Sequence, residues 1–189
     1  MPVYEVRRMS KIKRGILFIV ILAVFLVTSS VGMEYYVVHQ LNGEVTGRNR
    51  PFAALTVEPE DTLDLLVAGD SESYNSVSTM RLWDDKGITT YDCGQGAQRI
   101  PETYYMLKHA FKKQSPKIVI LETNTLFRDI GAVKSTQEIL TQAGQYYLPV
   151  FRYHNLWKTV VDEPEMHTNY KGFVIRDEVD PYEGKPDYM

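Results

Sequence analysis

A single cysteine, Cys93, in 189 residues leaves no internal disulfide and no zinc site built on several thiols, so the fold has to be held by its core. Basic residues are missing over a long stretch, with no lysine or arginine between Arg14 and Arg48. Internal repeats and low-complexity tracts are absent. The formal net charge of -3 counts in a basic leader, so the remainder is clearly acidic and nucleic acid is not an expected partner. Lys108, Lys112, Lys113 and Lys117 fall among apolar positions of helical spacing and read as a solvated face.

Where the basic residues stop, an apolar run begins. Residues 16–27 are apolar without interruption and residues 28–33 are small or mildly polar; together they reach the span of about 20 residues that crosses a bilayer. Arg7, Arg8, Lys11, Lys13 and Arg14 all precede the run, which places the N-terminus in the cytoplasm and the rest outside. An uncleaved signal anchor is the preferred reading and a cleaved signal peptide the alternative, because "TSSVG" has small residues without an A-x-A site. Either way the domain is exported. The chain divides into a cytoplasmic leader (1–14), a transmembrane anchor (15–33), a Gly-, Asn-, Pro- and acid-rich linker (34–62), an α/β domain (63–161) and an acidic loop or disordered tail (162–189).

Within residues 63–161 the pattern is regular. "LDLLVAG", "ITTYDCG" and "KIVILET" are short runs suited to buried strands, and "SVSTMRLWDDKG" and "PETYYMLKHAFKKQ" have helical spacing. Val77, Met80 and Trp83, or Leu82 in its place, share one helical face and Tyr104, Leu107 and Phe111 another; Gly87 suits a C-cap and Pro101 a first turn. Strand, helix, strand, helix, strand with short connections predicts an α/β fold on a parallel sheet covered on both faces. In such a sheet the carboxyl ends share one edge, so "GDSES", "CGQGAQ" and "ETNTLF" are expected to gather on one rim.

Acyl transfer needs a nucleophile and donors aimed at the developing oxyanion. Ser71 supplies a hydroxyl and its own N–H, Gly94 or Gly96 a second N–H at a close approach, and Asn124 a side-chain amide. Taken singly these residues read as a helix cap, turn glycines and a loop residue. Cys93 reads as a small buried residue rather than a second nucleophile. Asp70, Glu72, Asp92 and Glu122 at the same rim suit Mg²⁺ or Ca²⁺, although their spacing matches no known loop. "GQGAQR" is a poor dinucleotide fingerprint because Arg99 stands at the third glycine position. No cofactor is expected.

The three blocks "DTLDLLVAGDSES", "GITTYDCGQGAQ" and "KIVILETNTLF" resemble the first three blocks of the SGNH/GDSL hydrolase superfamily. The likeness is nearest to its membrane-anchored, exported bacterial branch, which serves teichoic-acid D-alanylation and exopolysaccharide O-acetylation. The resemblance implies a flavodoxin-like three-layer sheet behind one transmembrane helix, with Ser71 as nucleophile and Gly94 or Gly96 and Asn124 as oxyanion donors. It also implies a serine esterase or acyltransferase acting on cell-envelope polymers. The family's C-terminal D-x-x-H block has no counterpart, since none of His39, His109, His154 and His167 stands in that pattern. His154, flanked by Tyr153 and Trp157, and His167, near acids, are the candidate bases. We therefore expect either the N-terminal part of a longer protein or a shortened relative, with a non-catalytic envelope-binding protein as the alternative function.

Overall fold

The computed structural model describes residues 10–127 and 130–161. Ser10 caps the first helix, α1 (Lys11–His39), with its hydroxyl accepting from the Lys13 N–H. Apolar side chains are exposed all round its first two-thirds, Phe18, Ile19 and Phe25 among them. The helix is long and apolar enough to cross a membrane.

Residues 34–62 differ from the expected linker. α1 continues straight through Met33 to His39, and a second helix, α2 (Arg50–Val57), buries Phe52, Ala53, Leu55 and Thr56. Val37 of α1 joins Val45, Ala53 and Tyr153 in a small apolar cluster, so the apolar helix and the domain share core. Turn-forming residues at 42–51 and the Pro- and acid-rich 58–62 made the segment look like a linker and masked the short amphipathic "FAALTV" between them.

The sheet has three parallel strands in the order β2-β1-β3: β1 (Leu65–Ala68), β2 (Thr90–Asp92) and β3 (Ile118–Leu121). Every residue of β1 is buried. Leu66 and Ala68 face Phe52 and Leu55 of α2 and Met106 and Ala110 of α5 (Ile100–Ala110), and this cluster is the main core. Between β1 and β2 run α3 (Ser71–Ser76) and α4 (Thr79–Lys86), the latter closed by Gly87 in the left-handed conformation, as its position predicts. After β3 come a 3₁₀ turn (Asn124–Phe127), α6 (Ala132–Tyr147), α7 (Pro149–Arg152) and α8 (Leu156–Val161).

Three sequence expectations meet a different packing. α4 buries none of its residues, and Met80 and Trp83 are exposed. α5 turns Met106 and Ala110 inward together with Glu102 and Thr103, leaving Tyr104 and Phe111 exposed, because Glu102 and Thr103 find polar partners in Arg48 and Gln98. β3, expected to be covered on both faces, exposes all four of its apolar residues. The expected tail, residues 162–189, lies outside the described residues.

Leu66 is fully buried in the main cluster, so Leu66→Ala is expected to cost about 2–5 kcal/mol. A denaturant titration in detergent reads this, and an unmoved midpoint would mean that β1 is not the centre of the core. At the amino end of the sheet, Lys117 Nζ lies 2.7 Å from Asp64 and the Thr89 hydroxyl donates to it at 2.8 Å. The Lys117 ammonium, then Thr89, hold the Asp64 carboxyl down at about 2 against an ordinary 3.8. A depressed carboxyl stabilises above its ordinary value, and that contribution fades as pH falls from 3.8 towards 2. Asp64→Asn is expected to lower stability at neutral pH and to flatten its loss across that acid window, checked by unfolding curves at stepped pH.

Candidate functional site

The loops that leave the three strands do converge. The Cys93 N–H donates to Val67 O at 2.7 Å, the Gln95 N–H to Gly69 O at 3.2 Å and the Glu122 N–H to Ala68 O at 2.9 Å. These bonds carry the sheet's pairing past its formal ends and hold residues 69–73, 93–98 and 122–127 against one another. With order β2-β1-β3, the chain steps outward from β1 to β2 and then crosses back past β1 to β3, and the crevice at such a reversal of strand order is where doubly wound sheets bind ligands. Gly69 and Glu122 face each other across it so closely that a Cβ at Gly69 would overlap the Glu122 Cβ. Only glycine fits there.

Asp70 is fully buried and caps α3, its carboxylate accepting from the Glu72 N–H at 2.8 Å. Ser71 follows as the first residue of α3, half-buried, and its hydroxyl has no hydrogen bond among the described residues. Asn124 reaches the same loop from β3, with Nδ2 donating to Glu72 Oε1 at 3.0 Å and its N–H donating to Glu122 Oε1. Gly94 packs against Asp70 O and Ser73, and its N–H donates to Asp92 Oδ1 at 2.6 Å. Gly96 lies further out, where an added Cβ would meet the Tyr74 hydroxyl at an ordinary 3.8 Å, and its carbonyl accepts from Arg48 Nη1 at 2.7 Å.

Ser71, Gly94 and Asn124 are thus brought to one rim. His154 is not. It is exposed, its Nδ1 lies 2.8 Å from Phe151 O, and it lines a cavity of about 360 Å³ with Arg48, Glu102 and Lys158. No described hydrogen bond or cavity joins it to Ser71. His109 stacks on Phe52 and touches Thr56, and His39 lies on α1. The rim therefore holds no histidine among the described residues, and His167 lies outside them.

Carboxylates dominate the rim instead. Asp70, Glu72 and Glu122 each offer an oxygen within 4.8 Å of the others, and these are the residues able to hold a hard divalent cation. Asp92 stands apart from that group, accepting from Gly94 and, at 3.4 Å, from the Ser73 hydroxyl. Burial raises the Asp92 carboxyl, and burial with the neighbouring Asp92 pushes the Cys93 thiol up to about 12. Cys93 is fully buried and therefore inert as a nucleophile.

Three further residues, Ser73, Arg48 and Glu102, belong to the site. Ser73 bridges the first two loops, donating to Asp70 O at 2.8 Å. Arg48 and Glu102 form a two-pronged ion pair that steadies the Gly96 loop, and they lie 54 positions apart. Asp70 reads as a helix cap in the sequence and Ser73 falls in the first turn after it. Nothing in the sequence marks the pair of Arg48 and Glu102. Comparison of the chain with protein-family models, curated proteins and solved structures found no match.

A Cβ at Gly94 would overlap Ser73 Oγ and come within 2.8 Å of Asp92 Oδ1. Gly94→Ala is expected to destabilise by about 1–3 kcal/mol, the usual cost of overfilling a packed site. Adding Ser73→Ala should recover part of that loss. A double-mutant cycle on unfolding midpoints checks the coupling, and strict additivity would mean that the loops do not touch as described.

Proposed function

We propose that this chain is a membrane-tethered serine acyl-transfer protein of the SGNH type. α1 anchors it with the domain outside, and Ser71 attacks ester carbonyls on cell-envelope polysaccharide or teichoic-acid-like polymers. The observation that carries this reading is the position of Ser71, whose hydroxyl has no hydrogen bond among the described residues, at the end of the central strand where the strand order reverses, with Asn124 reaching across from β3. Attack by Ser71 Oγ gives a tetrahedral adduct with negative charge on the former carbonyl oxygen; its collapse breaks the ester C–O bond, leaves an acyl-serine and releases the polymer hydroxyl, which takes up the proton that Ser71 gives to the base. The Ser71 N–H, the Asn124 amide and a glycine N–H of the 93–98 loop are the donors for that charge. For this, Asn124 must exchange Glu72 for the substrate, and Gly94 must exchange Asp92 unless Gly96 serves in its place. The base for Ser71 comes from outside the described rim.

One observation favours a second reading. Two of the three donors are already held by carboxylates, and no described histidine adjoins Ser71. On this reading the same rim binds an acyl or sugar group without turning it over. A fluorophosphonate probe separates the two. The detergent-solubilised chain is expected to label covalently at Ser71, with Ser71→Ala unlabelled. Absence of labelling in the folded wild-type chain, together with saturable binding of polymer fragments that survives Ser71→Ala, would replace the catalytic reading with the binding one.

A further inference from the structure

A second cavity, of about 360 Å³, lies where α1, α2, α5, α6 and α7 meet, away from the sheet rim. Its walls include Lys108, Lys112, Arg152, Tyr146, Phe52 and Glu34. Arg152 is 5% exposed, and its guanidinium lies 3.3 Å from the centroid of the Phe52 ring. Its Nε donates to Gln145 O at 3.3 Å, but its Nη2 is buried with no hydrogen-bond partner among the described residues. The Tyr146 hydroxyl is buried and unpartnered in the same way. Lys112 Nζ stands 4.8 Å from the centre of the Tyr146 ring and Lys108 Nζ 5.2 Å from it.

Three cations therefore border one cavity, with Glu34 the carboxylate among its lining residues. The ring of His109 also lines it, with Nε2 close to the Thr56 hydroxyl at 2.9 Å. Burial, then the nearby Arg152 and lysines, lowers its pKa to about 3, so it is neutral at physiological pH. Burial lowers Arg152 only to about 10, which leaves it charged. A buried guanidinium nitrogen without an acceptor is costly and is what an oxyanion ligand satisfies.

The cavity's place on the chain points to the source of that oxyanion. Glu34 is the first charged residue after the apolar run of α1. One turn earlier, the buried Ser30 hydroxyl accepts from the Val150 N–H at 3.2 Å, which holds α7 and Arg152 against α1 where the run ends. The exposed rings of Tyr35 and Tyr36 follow at the same level, in the manner of the aromatic belt that marks a membrane interface. With α1 across a bilayer, the cavity opens at headgroup depth. We propose that it binds the phosphodiester of a membrane lipid headgroup, with Arg152 at its base and Lys108 and Lys112 at its mouth. The site is independent of Ser71 and of the acyl-transfer reading.

Native mass spectrometry of the full chain, released from micelles carrying equal amounts of phosphatidylglycerol and phosphate-free diacylglycerol, tests this. Retention of phosphatidylglycerol is expected, weakened about tenfold or more in the Lys108→Gln/Lys112→Gln double variant, since each surface cation contributes about fivefold to anionic-lipid affinity. Both lysines lie outside the core, so circular dichroism should be unchanged; Arg152→Gln is the second variant, interpreted only if its unfolding midpoint is retained. Equal retention of the two lipids, or retention indifferent to the lysine changes, would overturn the proposal. A third arm adds inorganic phosphate and glycerol phosphate: saturable binding of these without lipid preference would assign the cavity to soluble phosphate and overturn the lipid source.

Discussion

The burial of β1 is the constraint on which the rest of the structure depends. Four consecutive residues, Leu65, Leu66, Val67 and Ala68, are shielded on both faces and paired on both edges. The hydrogen-bonded ladders along both edges of β1 set the register of its neighbours, with Leu65 opposite Thr90 on one side and Ile118 on the other. β2 and β3 must then end level with β1, and the three loops beyond them must meet. The position of Ser71 beside Asn124 is therefore a consequence of core packing before it is one of chemistry.

What holds the rim together is a set of carboxylates accepting from N–H groups. Asp70 takes Glu72, Asp92 takes Gly94, and Glu122 and Glu72 both take Asn124. Such charge-assisted bonds are stronger than neutral ones and fix loop geometry. They also occupy donors that an acyl-transfer site would use. The opposite imbalance prevails beside α1, where Lys108, Lys112 and Arg152 gather around a cavity whose lining carboxylate is Glu34. The domain thus presents an acidic edge at the sheet and a basic cavity near the end of its apolar helix, two surfaces of different sign held by one core.

Much of this was legible locally. The apolar run and its one-sided charge predict the long apolar helix, the branched runs predict β1 and β3, and Gly87 predicts the end of α4. Gly-Asp-Ser predicts the strand-to-helix turn, with Asp70 as the cap. The faces of α5 were not legible, because Glu102 is buried by an arginine 54 positions away, and no local periodicity reports that. α2 was hidden for a related reason: its eight residues are too few to display a period, and what stabilises them is contact with β1 and α5. β3 has the composition of a covered strand, yet its four residues are exposed among the described elements.

The sequence by itself determined the elements and their order: an apolar helix preceded by positive charge, three short strands, and the residue types at the strand ends. These follow from short-range physics, from side-chain periodicity, capping and turn preferences. Only the tertiary structure decided that β1 is central, that Gly94 and Asn124 spend their N–H groups on carboxylates, that His154 stays away from Ser71, and that Arg152 is buried against Phe52 beside α1. Those outcomes depend on partners brought together across the chain, as Asn124 and Glu72 are across 52 positions, and such pairings are selected by the packing of the whole core rather than by any segment of it.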